Sequence, residues 1–185
     1  MTEGLTYEGV LATPMETHDL EQGSDAWMTL RLTRRGASEA AAMLGVSKKV
    51  KRTELLRAKS TGIAKEFSDW VQENILDYGH EVEAKARALL EQDTGEELYP
   101  VTCSRGPIVA SSDGATFPAR WAMEHKQWNE ELAASVAAGK LPVEHRPQCQ
   151  QTLLVIEGLQ FVRFVVSDGT REKRVMLDVY PDEAL

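Results

Sequence analysis

The spacing of apolar positions changes period along the chain, and that change predicts the order of its elements. From Glu21 the spacing is helical. Ser24 is a candidate N-cap, with Trp27, Leu30 and Leu32 as the apolar stripe behind it. Ser38 is placed to cap a second, short helix over residues 39–44, ended by Gly45. A third helix is predicted over residues 53–59, stopping near Gly62. The strongest pattern covers residues 64–91. There Phe67, Trp70, Val71, Ile75, Tyr78, Val82, Ala86 and Leu89 recur at steps of three and four, and Thr94-Gly95 closes the run. Residues 1–20 carry no such period and read as an irregular arm.

After Gly95 the period falls to two. Residues 98–103 and 108–111 read as strands around the turn Ser104-Arg105-Gly106-Pro107. Asp113-Gly114 is a turn signal, and residues 121–126 read as a third strand. Residues 127–139 and 147–157 return to helical spacing. Residues 159–166 and 171–179 then read as two strands joined at Ser167-Asp168-Gly169. This alternation predicts an α/β (α+β) fold with helices covering a central mixed sheet. Residues 1–185 are enough for one such domain around one core.

Composition narrows the function. The chain carries 29 Asp and Glu against 21 Lys and Arg, a net charge of −8. That excludes a simple basic coat for nucleic acid. It does not exclude a nuclease, whose carboxylates hold cations while DNA needs only a local basic patch. Arg34, Arg35, Lys48, Lys49, Lys51 and Arg52 offer such a patch, or else a solvated basic loop. No apolar run approaches membrane-spanning length, and residues 1–15 lack the basic-then-apolar order of a signal peptide. A cytoplasmic location without membrane contact is therefore expected. The two cysteines, Cys103 and Cys149, form neither a CxxC pair nor a zinc spacing and read as reduced core residues.

The candidate chemistry lies in Trp121-Ala122-Met123-Glu124-His125-Lys126. Side chains on a strand alternate faces, so Glu124 and Lys126 share one and Met123 and His125 the other. Asp113 lies eleven positions before Glu124, and an antiparallel return would bring the two carboxylates together. Carboxylate oxygens are hard ligands suited to Mg²⁺ or Mn²⁺. Such an ion polarises a phosphate and acidifies water, and a second ion stabilises the leaving oxygen. A neighbouring lysine can position or deprotonate the water and offset phosphate charge. By spacing alone, the same residues also describe a surface strand with an ordinary ion pair.

Five collinear blocks, spanning roughly residues 21–168, resemble the phage lambda exonuclease family, viral-type recombination exonucleases with a restriction-endonuclease-like PD-(D/E)xK core. They are Glu21-Gln22-Gly23-Ser24-Asp25-Ala26-Trp27 with Leu30-Arg31-Leu32 and Ala37-Ser38-Glu39; Gly79-His80-Glu81-Val82-Glu83-Ala84-Lys85-Ala86-Arg87 with Thr94-Gly95; Ser111-Ser112-Asp113-Gly114; Glu124-His125-Lys126; and Gln148-Cys149-Gln150. The resemblance implies that Asp113, Glu124 and the backbone carbonyl of His125 ligate the metal, with two ions per site. It implies that Lys126 is the catalytic lysine, that Glu83 reaches the site from the long helix, and that Gln148 supports it by hydrogen bonding. Arg31, Ser38 and Ser111 match the family's pocket for a 5′-phosphate.

The resemblance further implies 5′→3′ degradation of one strand of duplex DNA from its ends. Mononucleotides are released and a 3′ single strand is left for recombination. It also implies a homotrimeric ring around the DNA, a single-strand annealing protein as partner, and a bacterial or prophage source. Two departures stand out. Ser112 replaces the usual proline, a change expected to free the local backbone, and residues 114–123 lack the usual second glycine-rich turn. Family members often continue past the last strand with a C-terminal helix, whereas this chain stops at Leu185. A structure-specific endonuclease on the same core, or a non-catalytic DNA-binding module, are the competing readings.

Overall fold

The computed structural model describes residues 6–62 and 78–182. Half of the predicted long-helix stripe, Phe67 to Ile75, lies outside the described residues; Tyr78 onward is described. The stretch read as an irregular arm contains two elements, helix α1 (Tyr7–Ala12) and strand β1 (Glu16–His18). Both are too short to establish a period, and tertiary contacts hold them. Val10 is buried in the core, and β1 pairs with a later strand.

Helix α2 (Asp25–Thr33) starts where Ser24 Oγ accepts the Trp27 amide at 3.3 Å. It buries Trp27, but Leu32 faces outward. After strand β2 (Arg35–Gly36), a 3₁₀ turn (Ala37–Glu39) leads into helix α3 (Ala40–Met43). The cap expected at Ser38 therefore sits elsewhere. Extended Gly36 begins the turn, and Glu39 Oε2 accepts its amide at 2.8 Å. That frees the Ser38 hydroxyl for another partner. Helix α4 (Arg52–Thr61) ends at Gly62 in the left-handed conformation, and helix α5 (Tyr78–Thr94) ends before Gly95.

The remaining strands are β3 (Tyr99–Arg105), β4 (Ile108–Ala115), β5 (Trp121–Gln127), β6 (Phe161–Ser167) and β7 (Arg174–Val179). Between β5 and β6 come helices α6 (Glu130–Ala137) and α7 (Arg146–Val155). The sheet has seven strands in the order β1-β3-β4-β5-β6-β7, with β2 beside β4. β5 and β6 are parallel, as are β2 and β4, and the other pairs are antiparallel. A parallel pair needs a crossover, which α6 and α7 supply.

Alternation along the strands sorts two layers. Ala122, Phe164 and Val166 pack with Ala133, Val136 and Cys149 of α6 and α7, while Trp121, Met123 and Val165 pack with Leu90 of α5. Both cysteines are buried and free. Among the described residues, no helix is long and apolar enough to cross a membrane.

One local feature of the sheet creates the site. β3 covers one edge of β4 along its length, from Ile108 to Ala115. On the other edge, β2 pairs at Ile108 and Val109, and β5 pairs only at Gly114 and Ala115. Between those contacts β4 and β5 part, and Asp113 and Glu124 stand where they fork. Asp113-Gly114, expected as a turn, lies inside β4; the chain reverses later, at Thr116 to Arg120. Glycine at 114 answers a close approach rather than a turn. A Cβ there would meet Leu98 Cβ at 3.0 Å and Arg87 Cδ at 3.2 Å.

Candidate active site

The fork opens into a cavity of about 290 Å³. The residues that the resemblance assigns to the site all line it: Glu83, Asp113, Glu124, His125, Lys126 and Gln148 with Arg31, Ser38 and Ser111; the basic candidates Arg34, Arg35, Lys48, Lys49, Lys51 and Arg52 do not. They come from α5, β4, β5, α7, α2 and the 3₁₀ turn, so only the tertiary fold unites them.

At the fork, His125 has lost its strand partner on β4. Its amide donates instead to Asp113 Oδ2 at 2.7 Å. Ser112 fastens the closed end of the fork: its buried hydroxyl shares its one proton between the carbonyls of Gly114 at 3.0 Å and Met123 at 3.1 Å. The departure from proline thus ties the backbone down instead of freeing it. Lys126 Nζ donates to Glu124 Oε1 at 2.6 Å, as alternation on a strand requires. The His125 ring points to the opposite face, where Nε2 shares a hydrogen bond of 3.0 Å with buried Ser167 Oγ. Burial, with the nearby Lys126 charge, pulls that imidazole down to about 4, so it is neutral at ordinary pH.

The electrostatics are those of crowded carboxylates. Removal from water, then the charges of Glu124 and Glu83, push Asp113 well above the usual carboxylate range; Lys126 and the His125 amide offset only part of this. Glu83 is also raised, by burial first, against the pull of Arg87. Lys126 is raised although burial opposes it, because the charges of Glu124 and Asp113 outweigh the loss of water. Glu124 itself is 3% exposed.

Such a cluster has more negative charge than one ammonium neutralises. Among the described residues, no three His, Cys, Asp or Glu side chains stand as a ready ion cage. The donor set fits a hard divalent cation all the same. Mg²⁺ is ordinarily held by one or two carboxylates and keeps several waters, and the fork offers two carboxylates with a third on α5.

The far wall carries a guanidinium and two hydroxyls. Arg31 Nη2 donates to Ser38 Oγ at 2.9 Å, and its guanidinium lies 4.5 Å from the Trp27 ring centroid. Burial lowers the Arg31 pKa, partly countered by Glu39. Trp27 Nε1 donates to Ser111 Oγ at 3.1 Å, which in turn shares a hydrogen bond of 2.9 Å with Thr102 Oγ1. Ser38, Lys126 and Gln148 also line an adjoining cavity of about 630 Å³, with Lys48 and Lys49 in its wall. Lys48 is held by Glu144 at 2.8 Å.

Residues 26–158 match the family described as the YqaJ-like viral recombinase domain. The chain belongs to that family. The resemblance read from the five blocks is thereby borne out. Among solved structures, the fold resembles an alkaline exonuclease (LHK-Exo) from Laribacter hongkongensis, with a TM-score of 0.68 at 23% identity, over 87% of this chain and 84% of that one. The same exonuclease in complex with dAMP matches to the same extent. No curated protein sequence matches the chain. At that identity the likeness speaks for the fold alone, the central mixed sheet flanked by helices that the sequence predicts.

Sequence reasoning overlooked three supports of the site. Trp27, expected as part of an apolar helical stripe, also fixes Ser111 through its indole N–H. Lys59 bonds the Arg31 and Arg34 carbonyls at 2.6 Å each and Glu39 at 2.7 Å, behind the Arg31 wall. Arg87 lies beside Glu83 and Asp113. It stands in the second block of the resemblance, which gives it no role, and its spacing offers only the four-residue step from Glu83 that any solvated helix pair shares.

Proposed function

We propose that this YqaJ-like domain is a Mg²⁺-dependent exonuclease. It degrades one strand of linear duplex DNA 5′→3′ to mononucleotides and leaves a 3′ single strand for recombination by annealing. The observation that carries the reading is the single cavity with carboxylates and a lysine at one wall and an arginine–serine anion pocket at the other. An endonuclease needs the first wall; the second has a purpose only if the DNA path ends there, at a 5′-phosphate. The related LHK-Exo has been seen with dAMP, a nucleoside monophosphate of the kind such a reaction releases.

In this reading Asp113, Glu124 and the His125 carbonyl would hold the ion, Mg²⁺ or in its place Mn²⁺, with Glu83 available to a second. Such ions would supply Lewis acidity at the scissile phosphate and lower the pKa of water. The chain's own groups do the rest. Lys126 orients the attacking water and offsets charge on the phosphate. Gln148 contributes a hydrogen bond from α7. Arg31 and Ser38 grip the terminal phosphate, for which a guanidinium fork is well shaped, and Ser111 completes the pocket. Lys48 and Lys49, in the cavity that continues from Lys126, line the DNA path and reconcile a net charge of −8 with DNA binding. A homotrimeric ring around the duplex and a single-strand annealing partner complete the proposal.

The test is linear duplex DNA labelled separately at each end, with or without 5′-phosphate, in Mg²⁺. Closed circular DNA and EDTA serve as controls. Release of the 5′ label as mononucleotide, faster with a 5′-phosphate and with the circle intact, is expected. Cutting of the circle would make the protein an endonuclease. No cleavage in any divalent ion would leave a DNA-binding module.

A further inference from the structure

Arg87 sits at the junction of the two elements that carry the acidic cluster. Its Nη1 donates to the backbone carbonyl of Asp113 on β4 and lies 3.5 Å from Glu83 Oε1, one helical turn away on α5. The side chain is largely buried. It passes over Gly114, where a Cβ would come within 3.2 Å of Arg87 Cδ. The missing side chain at 114 is thus the lane through which the guanidinium reaches the fork. On the other side, β5 grips the same residue, through the His125 amide on Asp113 Oδ2.

We propose that Arg87 is a positioning residue: it fixes the distance of the α5 carboxylate from the β4–β5 fork and thereby sets the affinity of the site for divalent cations. The inference rests on the metal-dependent nuclease reading. Two opposite effects meet at Arg87. Its positive charge beside the carboxylates repels an incoming cation. Its bonds hold the Asp113 main chain and Glu83 in one arrangement, sparing the ion the cost of ordering them. Groups that orient metal ligands from behind are typically worth about 10–100-fold in metal affinity. Screened charge across a part-open cleft is a smaller effect than lost geometry, so positioning wins and the sign of the change is fixed in advance.

The experiment is Mn²⁺ titration by calorimetry, without DNA and so without turnover, on the folded full chain. Arg87→Gln is expected to weaken Mn²⁺ binding by about 10–100-fold. Arg87→Lys, which keeps the charge on one nitrogen with a shorter overall reach, should recover part of the loss. Gly114→Ala, which blocks the lane and leaves Arg87 in place, should weaken binding in the same direction. Combined with Arg87→Gln it should add less than it does alone, because both act through one contact. Circular dichroism confirms folding of each variant. Unchanged or tighter Mn²⁺ binding in Arg87→Gln, with the wild type binding normally, overturns the positioning role and leaves Arg87 a competing charge. Absence of Mn²⁺ binding in the wild type overturns the metal-dependent reading itself, and this inference with it.

Discussion

Lys126→Ala separates the lysine's structural work from its chemical work. Its ammonium lies 2.6 Å from Glu124 Oε1, and Glu124 is 3% exposed. Truncation leaves that carboxylate buried next to Asp113, whose own ionisation is already opposed by burial and by its carboxylate neighbours. Stripping one partner from a buried pair costs about 3–5 kcal/mol. The Lys126 side chain is 30% exposed, so water fills part of the gap, and about 2–3 kcal/mol is the expected loss. For a protein of this size, 1 kcal/mol corresponds to about 2–4 °C in Tm, which puts the drop near about 5–10 °C at pH 7.5 without divalent ions.

The pH dependence gives the sign. Lys126 has a raised pKa in the fold. Its contribution is therefore complete below the ordinary lysine value of about 10.4 and disappears only as pH rises through the folded value. The wild type keeps the contribution throughout the working range. In the variant the penalty comes from ionised carboxylates crowded out of water, and Asp113 is already raised well above the ordinary carboxylate value of about 4, so the penalty shrinks as pH falls and begins to do so above that value. Mn²⁺ should restore Tm at pH 7.5, because the ion takes over the neutralising charge, while cleavage stays down by orders of magnitude. Scanning calorimetry across pH, with and without Mn²⁺, reads all of this. An unchanged Tm at pH 7.5, or a deficit that persists undiminished at pH 4.5, would refute the argument from buried charge.

Two further outcomes test the anion wall and the fold. Arg31→Ala should slow digestion of 5′-phosphorylated ends by about 10–100-fold, the equivalent of about 1.5–3 kcal/mol for a charged hydrogen bond, and leave 5′-hydroxyl ends near wild-type rates. Equal losses on both ends would remove the 5′-phosphate role. Gly158→Ala should lower stability by about 2–5 kcal/mol in urea denaturation, because φ is +92° there and a Cβ would stand 2.7 Å from the Ala119 carbonyl oxygen. A cost below about 1 kcal/mol would mean that the loop carrying Ala119 yields easily.

What could be read along the chain was what short-range physics determines. Strand alternation alone placed Glu124 and Lys126 on one face, and the pair is there at 2.6 Å. Glycines at 45, 62 and 95 ended helices where expected, because left-handed backbone is their preserve. Asp113-Gly114 misled for the opposite reason. A glycine accommodates a turn or a close neighbour, and its own sequence does not say which. Here the neighbours were Leu98 and Arg87, distant in sequence. Ser38 misled likewise: it has the right side chain for a cap, but the turn begins earlier, at extended Gly36, and Ser38 lies inside it.

The fork itself had no local signature. It exists because β4 gives its edge to β2 at one end and to β5 at the other, an arrangement of strands from three separate stretches of chain. The motif residues named the chemistry, yet only sheet order could say that two carboxylates, a lysine and an arginine–serine pocket share one cavity. The same logic explains why Arg87 escaped notice. Its partner on β4 is a backbone carbonyl, a group every residue possesses, so no residue type at any spacing could have announced it.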